Sequence, residues 1–196
     1  MKSLHTKQPH ILVIGDLMID HYLWGGCERI SPEAPVQVVD IARETTVLGG
    51  AGNVINNLVA LGAQVSVAGV IGDDENGKEL LSMLSLIGAS SKGLMVQHGR
   101  KTSKKSRVIA SNQQILRYDN ESKEAIDKTS ERSIISYVID VIDSCDIIIL
   151  SDYGKGVITD AVAGGVIAAA KAASKKVLVD PKGKDYTKYR GAYLLT

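Results

Sequence analysis

A chain of 196 residues, 44% of them hydrophobic, is long enough for one domain with a real core, and the absence of Phe makes that core aliphatic. Its 23 basic and 22 acidic residues leave a formal net charge of +1, which argues against a nucleic-acid or polyanion partner. Cys27 and Cys145 form neither a disulfide framework nor a metal-ligand spacing, no run approaches the ~20 apolar residues of a membrane span, and "MKSLHTKQPH" lacks the apolar centre of a signal peptide, so no membrane partner is expected and the cytoplasm is the expected location.

In chain order, "HILVIGD" reads as a buried strand entering a loop at Asp16. "RISPEAP" is loop, punctuated by Pro32 and Pro35, and "VQVVDI" and "TTVL" are short strands. Helix is predicted over Asn53–Leu61, with Val54, Leu58 and Leu61 on one face and Gly62 closing it. "QVSVAGVIG" is a strand, 78–87 a helix ended by Gly88, and "LMVQH" a strand. "KSRVIAS" and "QILRYD" form a hairpin through "SNQ". Residues 129–143 are helical, with Ile135, Ile139 and Ile142 aligned. "DIIILSD" is a buried strand that makes Cys145 a small buried residue rather than a reactive one. Thr159 caps a helix over 159–173, and "KKVLVDP" and "AYLLT" are strands. Alternating strand and helix imply an α/β fold with a largely parallel sheet; the polar-faced β pairs near 36–48 and 104–119 depart from that alternation and read as a small lid.

The segment "VLGGAGNVINNLVALGA" asks what approaches the backbone so closely that side chains are left out. A dinucleotide fingerprint fails because its third glycine position is Ile55, and a P-loop fails for want of Gly-Lys-Ser/Thr. A polyol site remains: Gly49 and Gly50 leave backbone N–H groups open, and the Asn53 amide both donates to and accepts from a hydroxyl. A tight turn with an N-cap and no ligand explains the same residues. Asp16 and Asp20 follow the first strand at its carboxyl end, where open α/β sheets bind ligands, and carboxylates accept several hydroxyl hydrogen bonds. "SDYGKG" puts Asp152 and Lys155 at another such end, and "DPKGK" puts Asp180 and Lys182 at a third. Arg107 and Arg117 sit in strands among apolar neighbours and suit a phosphate, whereas Lys104 and Lys105 read as a solvated face. His21 reads as a surface residue, and Asp73-Asp74 as acids at a helix start.

With these residues assembled, the chain resembles the ribokinase-like (PfkB) carbohydrate kinases. "GGAGN" resembles their first signature, and the β excursions resemble the lid that covers the sugar. "ISPEAPVQV", "NQQILRYD", "LSDYGKGV" and "DPKGKDYTKYRGAYLLT" narrow the resemblance, along nearly the whole chain, to the D-glycero-D-manno-heptose 7-phosphate kinases of lipopolysaccharide core synthesis; Gly52 stands where these usually carry alanine. The resemblance implies a ribokinase-like fold, a sugar phosphate as ligand and ATP with Mg2+ as cosubstrate and cofactor. It also implies substrate contacts from Asp16, Asp20, Gly49, Gly50, Asn53, Arg107, Gln113, Asp152, Lys155 and Lys182, with Arg107 and Lys182 on the phosphate. Family members continue past the position of Thr196 with a Pro-Asn, a Glu that organises magnesium and phosphates, and a Gly-Ala-Gly-Asp turn that carries the base. Residues 1–196 are therefore expected to be the substrate-binding part of a kinase domain, inactive by itself, and paired as a homodimer through the lid. Two other readings stay open: a dimerisation module without catalysis, and another sugar or nucleoside kinase of the same family.

Overall fold

The computed structural model describes residues 8–196; the leader-free reading of the first ten residues falls mostly on 1–7, outside the described residues. Ten strands and four α-helices follow in the order β1 His10–Gly15, β2 Leu17–Ile30, β3 Gln37–Gly50, α1 Ala51–Ala60, β4 Gln64–Gly72, α2 Glu75–Leu86, β5 Ser90–Gln97, β6 Ser103–Ala110, β7 Gln113–Asn120, α3 Lys128–Val141, β8 Ile147–Ser151, α4 Asp160–Ala172, β9 Lys176–Asp180 and β10 Leu194–Leu195. Short 3-10 turns at Ile142–Ser144 and Thr187–Tyr189 complete it.

The main sheet runs β10-β9-β8-β1-β4-β5, and every pairing in it is parallel. Its inner strands β1, β4 and β8 are largely buried on both faces, so they read as near-continuous apolar runs, whereas the edge strands β5 and β10 are partly exposed. Leu12, Ile14, Val70, Ile148, Leu150 and Val179 face α3 and α4, while Val13, Val65, Val67 and Ile71 face α1 and α2. Each large side chain buried this way contributes roughly 1.5–3 kcal/mol. No helix among the described residues is long and apolar enough to cross a membrane.

The second sheet runs β3-β2-β6-β7. The sequence reading has a loop after Asp16 and two short strands in 36–48; the structure has two 14-residue strands, β2 and β3, paired antiparallel with bulges after Trp24 and Gly26. In "LMIDHYLW" both faces of β2 are large, because one packs on α1 and α2 through Leu17 and Ile19 and the other carries Met18 and Tyr22. The alternation that marks a strand is thereby hidden. The 6–7 hairpin turns at Ser111 and Asn112, both at positive φ (49° and 62°), the conformation a two-residue hairpin loop requires.

Helix faces differ in two places. Ile134 and Val138 of α3 and Ile142 in the 3-10 turn after it are buried, and Ile139 points outward; on α1 the buried positions are Ala51, Gly52 and Ile55, and Leu61 is 84% exposed. Ends follow local chemistry. Asp74, Asp127 and Thr159 cap α2, α3 and α4 by accepting from Gly77, Ser130 and Val162 N–H groups.

Candidate functional site

The second sheet meets the main sheet at the carboxyl end of β1, and a cleft of about 380 Å³ lies at that junction. Its walls are Met18, Asp20 and Tyr22 of β2, Lys105 and Arg107 of β6, and Val47, Leu48 and Gly50 of β3; Asn53 of α1 and Tyr153 complete it. Met18, Asp20 and Tyr22 share one face by the two-residue period, and the parallel register sets Lys105 beside Asp20 and Arg107 beside Tyr22.

The glycines of "GGAGN" are explained first from within the protein. A Cβ on Gly49 would lie 2.2 Å from Asp20 Oδ2, and one on Gly50 would lie 2.6 Å from the Asp16 carbonyl oxygen. Gly50 holds φ +55° and precedes α1 without a side-chain cap, so it admits no side chain and leaves the first turn of α1 facing the cleft.

Asp20 is fixed by Arg107, whose Nη1 donates to Oδ1 at 2.6 Å, with both side chains about one-fifth exposed. Arg107 also lies over the Tyr22 ring, 5.2 Å from its centroid. On β7, Arg117 grips Asp119 through two bonds of 2.8 and 2.6 Å, which hold the Asp119 carboxyl below its ordinary value. Lys155 Nζ donates to Glu121 Oε1 at 2.7 Å. Burial pushes the Glu121 carboxyl up, but the bonds from Lys155 and Lys123 outweigh it and hold the group down. Glu121 Oε2 is buried with no hydrogen-bond partner among the described residues. Burial, then the charges of Lys155 and Arg117, push the Lys105 ammonium down from its ordinary value.

Other residues expected at the site stand behind it. Asp16 is fully buried; Oδ2 accepts from the N–H groups of Tyr153 (2.8 Å) and Lys155 (3.0 Å), and Oδ1 accepts from Val157 (3.1 Å). Burial raises its carboxyl above the usual range despite these bonds. Its role in the fold is to hold the "DYGKGV" turn that carries Tyr153 into the cleft. Asp152 is buried likewise, accepting from Lys188 Nζ (2.6 Å), Tyr189 Oη (2.5 Å) and Gly154 N–H (2.7 Å); burial, then that bond, pushes the Tyr189 phenol up. Lys182 does not line the cleft, and its stem lies near Gly154. Gln113 is exposed at the hairpin tip, paired with Ala110. The structure thus brings Asp20, Gly50, Asn53 and Arg107 together, with Gly49 beneath them. Sequence reasoning missed Met18, Tyr22, Tyr153 and Glu121 and set Lys105 among solvated residues. His21 is also no surface residue: it is buried between Ser106 Oγ and Glu44 Oε2, each 3.1 Å from a ring nitrogen. Lys104 pairs with Glu79 at 3.1 Å.

A model of the pfkB family carbohydrate kinases matches residues 8–195. The chain belongs to the pfkB family of carbohydrate kinases. Among curated relatives it is 64% identical over 196 residues to the bifunctional protein HldE of Sulfurimonas denitrificans, covering all of this chain and 41% of that one. To the HldE of Wolinella succinogenes it is 59% identical over 191 residues, covering 97% and 40%. This pfkB chain therefore spans about two fifths of the length of those relatives. Among solved structures, a carbohydrate kinase from Agrobacterium tumefaciens aligns at TM-score 0.67 and 18% identity, covering 89% of this chain and 54% of that one. An Arabidopsis thaliana ribokinase complexed with ribose and ATP aligns at TM-score 0.65 and 16% identity, covering 96% and 60%. These place the fold among ribokinase-like α/β proteins.

Among the described residues, no group of three or more His, Cys, Asp or Glu side chains is placed to hold a metal ion.

Proposed function

We propose that residues 1–196 are the sugar-binding part of an ATP-dependent kinase that phosphorylates the anomeric hydroxyl of D-glycero-D-manno-heptose 7-phosphate. The observation that carries this reading is the cleft itself. Asp20, fixed by Arg107 at 2.6 Å, stands on the same cleft as Asn53 and the open first turn of α1. A carboxylate and an amide beside a helix N-terminus that has no side-chain cap are a set that reads a row of hydroxyls, although the first N–H of that turn, on Ala51, donates to the Asp16 carbonyl. The likeness to the HldE proteins and the sequence strings shared with heptose 7-phosphate kinases support the choice of sugar.

In this reading the sugar's anomeric oxygen bonds to the γ-phosphorus as the bond from that phosphorus to ADP breaks in line, and the hydroxyl proton passes to a base. The residues in hand orient the sugar, a large term in its own right, and the second sheet keeps water from taking the phosphoryl group. In this reading ATP, Mg2+ and the base are held by residues corresponding to the rest of the longer HldE relatives. The enzyme acts in the cytoplasm. It works as a homodimer, because the second sheet has unpaired edges at β3 and β7 and exposes Ile41, Leu116 and Tyr118.

The test joins this chain to the C-terminal remainder of the Sulfurimonas denitrificans relative and follows heptose 7-phosphate with ATP and magnesium by 31P NMR. The expected result is a new anomeric phosphate signal from the chimera and none from residues 1–196 alone. Turnover by the chain alone would show that base and nucleotide site lie within it. A folded chimera that binds ATP but phosphorylates other sugars and not this one would overturn the choice of substrate.

A further inference from the structure

Around the cleft, Lys105 is the cation that has no carboxylate of its own among the described residues. Arg107 is bound to Asp20, Arg117 to Asp119 and Lys155 to Glu121. Lys105 lies at the centre of this group: the register sets it between Asp20 on β2 and Asp119 on β7. Both of those acids are already taken, Asp20 diagonally by Arg107 across the β2–β6 pair and Asp119 by Arg117 two residues before it on β7. Among the described residues, no carboxylate lies within ion-pair distance of Lys105, although its side chain lines the cleft. Burial first, then its neighbours Lys155 and Arg117, disfavour its charge more than Asp20 and Glu121 favour it, and an arriving anion would offset that.

We infer that Lys105 receives the phosphate monoester carried by the sugar, while Arg107 serves to hold Asp20. The inference rests on the reading of the cleft as a sugar site and deepens it by naming the residue that selects phosphorylated over free sugar. A lysine suits the role as a point charge on a flexible stem that reaches a phosphate oxygen without needing a planar partner. A phosphate group can also come from the nucleotide, so the test separates the two sources.

Titration calorimetry on the whole chain, with heptose 7-phosphate, unphosphorylated heptose and ATP as probes, compares the parent with Lys105→Met and Lys105→Arg. The parent is expected to prefer the phosphorylated sugar. Lys105→Met is expected to lose about tenfold to a hundredfold of affinity for it, the weight of one charged hydrogen bond, while its affinity for free heptose stays within about twofold. Lys105→Arg is expected to recover most of the preference. The phosphate gains its second charge near pH 6, so the parent's affinity is expected to weaken as pH falls through that value, and the Met variant's profile to flatten. An undiminished preference in Lys105→Met overturns the inference, as does an equal loss for both sugars or a loss confined to ATP. A parent that binds free heptose as tightly as its 7-phosphate also overturns it and leaves the sugar site standing. A parent that binds neither sugar removes the functional reading, and this inference with it.

Discussion

Asp20 and Arg107 form the pair on which the sugar reading turns, and each leans on the other. Removing the carboxylate in Asp20→Ala leaves the guanidinium unpaired and takes away the hydroxyl acceptor; the expected loss is about 1.5–3 kcal/mol of heptose affinity per charged hydrogen bond, read by calorimetry. Arg107→Lys is not expected to be conservative, because it gives up both the planar fork and much of the stacking on Tyr22. A lysine variant with the parent's affinity for free heptose would count against the pair. Sequence reading reached these two residues because carboxylates and arginines at strand ends or inside strands are conspicuous. It passed over Lys105 because a lysine beside Lys104 looks solvated until the register puts the two on opposite faces, one against Glu79 and the other in the cleft. Asp16 shows the converse: its position after β1 suggests a ligand, yet three backbone N–H groups occupy its carboxylate.

Between elements, α3 and α4 are clasped by Glu131, whose side chain is 6% exposed. Oε2 accepts from Lys128 at 2.9 Å, and Oε1 accepts from the capping hydroxyl of Thr159 at 2.7 Å. The Lys128 bond, then the Thr159 bond, hold its carboxyl below its ordinary value of 4.5. As pH falls, the unfolded chain takes up this proton before the folded one does. The stabilisation is therefore complete above 4.5 and is lost as pH falls through the lower folded value. Glu131→Gln is expected to lower the urea midpoint at neutral pH and to converge with the parent at acid pH; a constant gap would mean that the charge is not what the clasp uses. At this scale the main sheet was legible, since apolar runs bounded by glycine or acid leave few alternatives. In the second sheet β6, β7 and most of β3 were legible, and β2, large on both faces, was not. Register and bulges in β2 and β3 depend on partners distant in sequence, such as the pairing of Leu17 with Gly50.

For the whole molecule the proposal is that residues 1–196 supply the sugar site of a carbohydrate kinase. The proposed lid dimer belongs to this scale. Leu116→Lys with Tyr118→Lys on β7 is expected to shift sedimentation from dimer to monomer while the far-ultraviolet spectrum stays unchanged; a parent that is monomeric across a wide concentration range would contradict it. The most direct test of the sugar site is an amide NMR titration of the chain with D-glycero-D-manno-heptose 7-phosphate, without nucleotide. The account predicts saturable shifts concentrated at residues 18–22, 49–53 and 105–107, the strands and helix turn that wall the cleft. No saturable shifts, or shifts centred elsewhere, such as the groove between α3 and α4 lined by Ile139 and Ala169, would contradict it.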